Sequence, residues 1–257
     1  MQNKPKIIHY CWFGPKKLPK IEQECIQSWK RYLPDYELKL WNETSFDLSH
    51  SVFATQAYEA KLYAYVSDYV RTEVLYKFGG TYLDTDMEIL PGFKELIEAN
   101  PNVLGFLTRR QIGAGVISLE PKHSLMKRFI DYYSRDFITG GTMNVCDNTS
   151  VLTEFLQEAG IVMNRQNQCV GDVNIFSREY FYPKKISETE FTIYPETVAI
   201  HKASGSWMSD RQRKRGANKF WINICRPILC GIKKTLATAL GKERTRNLEI
   251  FVRNKLR

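Results

Sequence analysis

The sequence predicts an α/β protein in which a mixed or mostly parallel sheet is flanked by helices. Three observations carry this reading. Short apolar or aromatic runs of strand character alternate with segments of helical period along the first 210 residues. One helical segment ends on Gly79-Gly80 and passes straight into a strand-like run, the junction that a helix C-cap provides. At 257 residues and 43% apolar, the chain can bury one sizeable α/β domain, or one domain with an appendage.

In chain order, KIIHYCWF (6–13) reads as an opening buried strand, LPKIEQECIQSWKRY (18–32) as a helix with a proline near its start, and YELKLWN (36–42) as a second strand. From 58 to 78 the spacing predicts one long helix, because Leu62, Val66, Val70, Val74 and Phe78 recur every four residues. TYLDTDMEIL (81–90) then reads as one strand. Alternation would send Tyr82, Asp84, Asp86 and Glu88 to one face, and Leu83, Met87 and Ile89 to the other. A short helix at 93–98, strands at NVLGFLT (102–108) and GAGVISLE (113–120), helices at 124–133 and 150–158, and a strand at TVAIH (197–201) complete the pattern. The chain shows neither an internal repeat nor a low-complexity segment.

Charge divides the chain more sharply than hydropathy does. Residues 211–257 hold 14 Lys and Arg against two acids, whereas the first 210 hold 23 against 26. We therefore read a nearly neutral domain, 1–210, carrying a basic amphipathic, helical C-terminal tail, 211–257, that meets something anionic. The six cysteines form no CxxC pair, and MQNKPKIIHYCWFG has no long apolar stretch after its lysines. The expectation is a reducing, cytoplasmic protein with free thiols.

Two groups of residues suggest chemistry. Asp84, Asp86 and Glu88 would crowd three carboxylates on one strand face, which calls for a cation, a proton or open water. A solvated acidic edge satisfies that too, although the glycine-led entry places the strand inside the fold. Asp68 and Arg71 lie one turn apart on the long helix. They fit an ordinary i,i+3 ion pair, or a carboxylate for substrate hydroxyls beside a guanidinium for phosphate. His9 and His50 read as structural, and Cys225 and Cys230 make no zinc site. Gly113 and Gly115, beside Arg109 and Arg110, could form an acceptor-side loop.

IIHYCWFG (7–14) and VSDYVRTEVLYKFGGTYLDTD (66–86), with their S-D-x-x-R and G-G-x-Y-L-D-x-D elements, resemble the DXD-containing glycosyltransferases of family 32. That family includes bacterial capsular-polysaccharide sugar transferases, and its motifs recur in the catalytic domains of large glucosylating toxins. The resemblance is good over roughly residues 5–90 and weaker over AIHKASGSW (199–207). It implies a GT-A type fold, a nucleotide-sugar donor with UDP favoured over GDP, and Mn²⁺ or Mg²⁺. Carried over by position, it assigns Asp86 to the metal directly and Asp84 to the ribose or sugar and the metal. Asp68 and Arg71 would hold the donor hexose and its diphosphate, Trp12 the base and Ser67 the nucleoside side. Tyr82 would lie beside the diphosphate and His201 near the metal. The resemblance further implies retention of anomeric configuration, although no carboxylate nucleophile stands out.

Two other classes fit part of the pattern. A haloacid-dehalogenase type phosphohydrolase also sets D-x-D at a strand end, but wants Gly and Thr after it, where this chain has Met87 and Glu88. A nucleic-acid-binding protein would use the tail and leave the acidic run unexplained. We expect no nucleic acid, and instead a saccharide or lipid-linked saccharide acceptor. The tail's apolar residues from Phe220 to Ile232 are too few to span a bilayer that needs about 20, and Pro227 interrupts them. Mixed with cations, they suit an anionic membrane surface, on the inner face of the cytoplasmic membrane. A helical cap with a solvated basic face would use the same residues.

Overall fold

The computed structural model describes residues 4–134, 138–139, 142–143, 147–183, 191–205 and 235. In order the elements are β1 (Ile7–Cys11), α1 (Lys20–Tyr32), β2 (Glu37–Trp41), α2 (Val52–Glu59), α3 (Tyr63–Phe78), β3 (Gly80–Leu83), β4 (Met87–Ile89), α4 (Phe93–Ala99), β5 (Val103–Phe106) and β6 (Ile112–Leu119). There follow α5 (Ser124–Tyr133), β7 (Ile138–Thr139), β8 (Thr142–Met143), α6 (Asn148–Glu158), β9 (Gln168–Val170), β10 (Val173–Phe176), α7 (Arg178–Phe181) and β11 (Ala199–His201). The chain divides into two compact units, 1–204 and 205–257. The tail at 211–257, expected to be a basic helical appendage, lies outside the described residues apart from Thr235.

A seven-stranded sheet in the order β2-β1-β3-β6-β5-β10-β9 organises the first unit. Strands β2, β1 and β3 are parallel, β6 runs antiparallel to both β3 and β5, and β10 returns parallel to β5. This is the mixed, helix-flanked sheet that the sequence predicts. Two apolar clusters form the core. One packs α3, α5 and α6 on the sheet through residues such as Val66, Val70, Val74, Phe129 and Leu152, and the other joins α1, β4 and α4 through Trp29, Met87, Ile89 and Phe93. Among the described residues no helix is long and apolar enough to cross a membrane.

The structure corrects the sequence reading in two places. The long helix expected over 58–78 is two helices, broken where Lys61 takes a φ of 59° and the Leu62 N–H bonds to the Ala57 carbonyl at 2.8 Å. The cause is phase. Helix α2 buries Phe53, Ala54 and Ala57, and α3 buries Val66, Val70 and Val74. Ala57 and Val66 lie nine residues apart, about 2.5 turns, so a continuous helix would point the two stripes in opposite directions. The glycine end of α3 stands as expected. Gly79 has a φ of 64°, and a Cβ there would meet the Pro121 nitrogen at 2.5 Å.

The second correction concerns the acidic run. It is two strands in two sheets, since β3 pairs with β1 and β6 while β4 pairs with β11. Asp84 extends the β3 ladder by one bond, its N–H donating to the Gly115 carbonyl at 2.9 Å. The Met87 N–H then closes a turn onto the Asp84 carbonyl, also at 2.9 Å. Asp84 and Asp86 therefore occupy a turn beyond the carboxyl end of a central strand, where α/β sheets hold ligands. Glu88 leaves their company and pairs with Lys202.

Candidate active site

Four parts of the chain meet at that turn. Helix α3 brings Asp68 and Arg71, β6 brings the Ala114 carbonyl and Gly115, α6 brings Asn148, and β11 with the segment after it brings His201 and Ser204. Arg71 is nearly buried and engaged on several sides. Its Nη1 donates to the Ala114 carbonyl at 2.7 Å, its Nη2 lies 3.1 Å from both Asp68 Oδ1 and Asp84 Oδ1, and its guanidinium covers the Tyr82 ring at 4.3 Å. The Asp68–Arg71 pair is thus no solvated surface contact. Asn148 Nδ2 donates to Asp68 Oδ1 at 3.2 Å, so both contacts of Asp68 use the same oxygen. Gly115 leaves space beside the turn, because a Cβ there would stand 3.1 Å from Asp84 Oδ2.

Electrostatics separates the two partly buried carboxylates. Burial pushes Asp68 up to about 6, against the opposing pull of Arg71 and the Asn148 hydrogen bond. Burial acts on Asp86 in the same direction, yet its carboxyl is held below the usual range by the His201 contact and the Ser204 N–H. His201 answers in kind: burial lowers its pKa, and the Asp86 and Asp84 carboxylates more than restore it, leaving it raised. For Arg71, desolvation is outweighed by Asp84, Tyr82 and Asp68 together, and the guanidinium stays charged.

Asp86 is wrapped by the strand end that follows it in space. The Ser204 N–H donates to Asp86 Oδ2 at 2.9 Å and the Lys202 N–H to its carbonyl at 3.0 Å, while Oδ1 faces His201 Nε2 at 3.3 Å. Asp84, Asp86 and His201 can each offer one ligand atom, all within 4.8 Å of one another. Two hard carboxylate oxygens and one imidazole nitrogen suit a divalent cation that accepts oxygen with some nitrogen. Buried polar atoms without a partner point the same way. Among the described residues these are Glu22 Oε2, Arg71 Nε and Asn148 Oδ1, and the last two belong to this cluster. A native fold seldom strands such groups unless something else meets them.

The sequence-predicted residues are not all gathered. Asp68, Arg71, Tyr82, Asp84, Asp86 and His201 form one connected group. Trp12 follows β1 at the same sheet edge, its indole N–H donating to the Lys16 carbonyl at 2.6 Å, and no described hydrogen bond or ion pair joins it or Ser67 to the group. Tyr82 is buried beneath Arg71, so its ring supports the guanidinium from below. Sequence reasoning overlooked Ser204, Asn148 and Glu22. Glu22 is fully buried on α1 and accepts from the Ser204 hydroxyl at 2.7 Å. Its signal was visible, since it falls on the stripe of Cys25, Ile26 and Trp29, where a charge is out of place. Asn148 gave none; only the fold brings it 80 positions back to Asp68.

Residues 19–103 match the family described as "Glycosyltransferase sugar-binding region containing DXD motif". Over this third of its length the chain is similar to the DXD glycosyltransferases. This region includes α3, the Asp84–Asp86 turn and β4, whereas His201 and Ser204 lie beyond it. Among curated proteins, 81 residues are 33% identical to human (Homo sapiens) lactosylceramide 4-alpha-galactosyltransferase, covering 30% of this chain and 22% of that protein. A stretch of 91 residues is 37% identical to inositol phosphoceramide mannosyltransferase 3 of Schizosaccharomyces pombe, covering 32% and 24%. The chain thus spans about a quarter of the length of these glycosyltransferases. Two solved structures are similar at low identity: PaToxG glycosyltransferase (18%, TM-score 0.42, 50% of this chain and 59% of that one), and a glycosyltransferase involved in glycosylation of the major capsid of PBCV-1 (12%, TM-score 0.41, 81% and 97%).

Proposed function

We propose that this chain is a metal-dependent glycosyltransferase that moves a hexose from a nucleotide-sugar, UDP-hexose in preference to a GDP-sugar, to a saccharide acceptor with retention of configuration. The observation that carries the reading is the convergence of Asp84, Asp86 and His201 on one point beside the buried Asp68–Arg71 pair. The family match over 19–103 supports it. A bound Mn²⁺ or Mg²⁺ would supply Lewis-acid stabilisation of the charge that develops on a departing diphosphate. Asp86, Asp84 and His201 would hold that ion, and the imidazole in the set favours Mn²⁺ over Mg²⁺.

The chain's own groups divide the remaining work. Arg71 holds Asp68 and Asp84 in fixed relation and brings positive charge to the donor side. Asp68 keeps Oδ2 for sugar hydroxyls, since Oδ1 already accepts from Arg71 and Asn148. Ser204 steadies Asp86, and Glu22 orients Ser204. The arrangement disfavours a phosphohydrolase, because Asp84, which would be the nucleophile, is tied to a guanidinium.

The acceptor is proposed to be a lipid-linked saccharide in surface polysaccharide synthesis. The two relatives above support the lipid, being named for ceramide-containing acceptors. The cytoplasmic site of action and attachment of the 211–257 tail to an anionic membrane face belong to the same proposal. The test is incubation with UDP- and GDP-sugars, reading free nucleotide with and without Mn²⁺. Hydrolysis of a UDP-hexose that chelator abolishes is expected. Absence of metal-dependent release from every donor would overturn the reading.

A further inference from the structure

Away from the Asp84–Asp86 turn, the described residues form an open cleft of about 740 Å³, within the ~300–1,000 Å³ typical of small-molecule sites. One wall is the turn 108–111 between β5 and β6, carrying Arg109 and Arg110. The other is the face of α6 that shows Ser150, Glu154 and Gln157.

Both walls are rooted in the donor-side cluster. From the cleft, β6 runs through Gly113 to the Ala114 carbonyl that receives Arg71, and α6 begins at Asn148, which holds Asp68. Three residues of strand, about 10 Å, separate Gln111 from Ala114. The walls are also tied to each other, since the Ile112 N–H donates to Thr153 Oγ1 at 2.9 Å. The turn itself is set by its own bonds: the Leu107 and Thr108 N–H groups reach the Gln111 carbonyl, and the Arg110 N–H reaches Thr108 Oγ1 at 3.1 Å.

The lining residues are all of polar or charged type, and their charge is unbalanced. Arg109 and Arg110 are exposed, and neither has an ion-pair partner among the described residues. Against their two positive charges stands one carboxylate, Glu154. Hydroxyl, amide and carboxylate groups on the helix wall can exchange hydrogen bonds with a polyol, while paired guanidiniums present forks that match a carboxylate or phosphate.

We propose that this cleft is an acceptor subsite for a saccharide bearing an anionic group, read by Arg109 and Arg110. The inference rests on the transferase reading and adds the acceptor's chemical class. The experiment is calorimetric titration of the full chain, with Mn²⁺ present, using a glucuronic-acid disaccharide, mannose 6-phosphate, lactose and inorganic phosphate. At least one charged sugar is expected to bind about tenfold tighter than lactose, ~1.4 kcal/mol. Whichever charged sugar wins identifies the anion as carboxylate or phosphate. The R109A/R110A chain is expected to fall to the lactose level with its nucleotide-diphosphate affinity unchanged. A milder R109Q/R110Q pair keeps the test sound should the first variant fold poorly. Equal binding of charged and neutral sugars, inorganic phosphate binding as well as the charged sugar, or an undiminished affinity in a folded variant would each overturn the subsite. Loss of donor hydrolysis in the wild-type chain would instead overturn the transferase reading.

Discussion

His9 bonds the carbonyl that precedes β3, His201 faces the turn that follows it, and their surroundings differ in one respect. Around His9 every polar group is answered. The Trp41 indole N–H donates to Nδ1 at 3.0 Å, so Nε2 carries the proton and donates to the Gly79 carbonyl at 2.9 Å. Burial holds this imidazole neutral, its pKa lowered to about 4. Around His201 the groups are answered incompletely: carboxylates raise its pKa, and nearby Arg71 Nε and Asn148 Oδ1 have no partner. A closed polar network stabilises a core, whereas an open one of like cost is retained for what it can bind.

The largest effect should come from the open end. Asp86→Asn is expected to lower metal-dependent donor hydrolysis on the order of 10²-fold or more, with the urea midpoint moving by less than ~1 kcal/mol. Full Mn²⁺-dependent activity in the folded variant would erase the distinction between the two ends. His9→Ala should do the reverse. It opens a cavity and strands the Trp41 N–H, at ~3 kcal/mol of stability, and kcat/KM measured well below the melting temperature should stay near wild type.

Asp68→Asn sharpens the comparison, because this residue is largely buried yet belongs to the open end. With a folded pKa near 6 against an ordinary value of 3.8, the native state holds the proton more tightly. Stability therefore falls as pH rises from about 4 through 6. An amide carries no such penalty, so at pH 8 the variant should be more stable by ~1–3 kcal/mol while losing activity. Urea titrations at pH 4 and pH 8 measure both arms, and equal midpoint shifts at the two would remove the linkage.

The smallest effect is a pH slope. His201 must shed its proton to ligate, and its folded pKa is raised. Mn²⁺ affinity should weaken, by at most ~tenfold per pH unit, as pH is lowered through that raised value. His201→Gln should flatten the slope around that raised value; an unchanged slope would detach His201 from the metal.

Local patterns made much of this legible. The strand at 37–41, the helix at 124–133 and the glycine end of α3 fall where spacing and capping place them. The α2–α3 break was hidden because Leu62 continues the four-residue spacing, although it caps α3 and is partly exposed. Strands β9 and β10 and the short helix α7 gave too little periodic signal in three or four residues each.

The sequence by itself determined the neutral body and basic tail, the alternation that builds the sheet, and the carboxylates at 84 and 86 with Asp68 and Arg71 one helical turn apart. Those are local properties, written in spacing and composition. Tertiary structure alone decided that Asp84 and Asp86 share a turn, that Glu88 leaves them for Lys202, and that Asn148, His201 and Ser204 arrive from 80 to 118 residues away. The reason is physical: which sheet claims a strand depends on partners remote in the chain. Strand β4 joins β11 and packs on α1, where the Trp29 indole N–H donates to the Met87 carbonyl at 2.6 Å, and this turns the chain at Asp84.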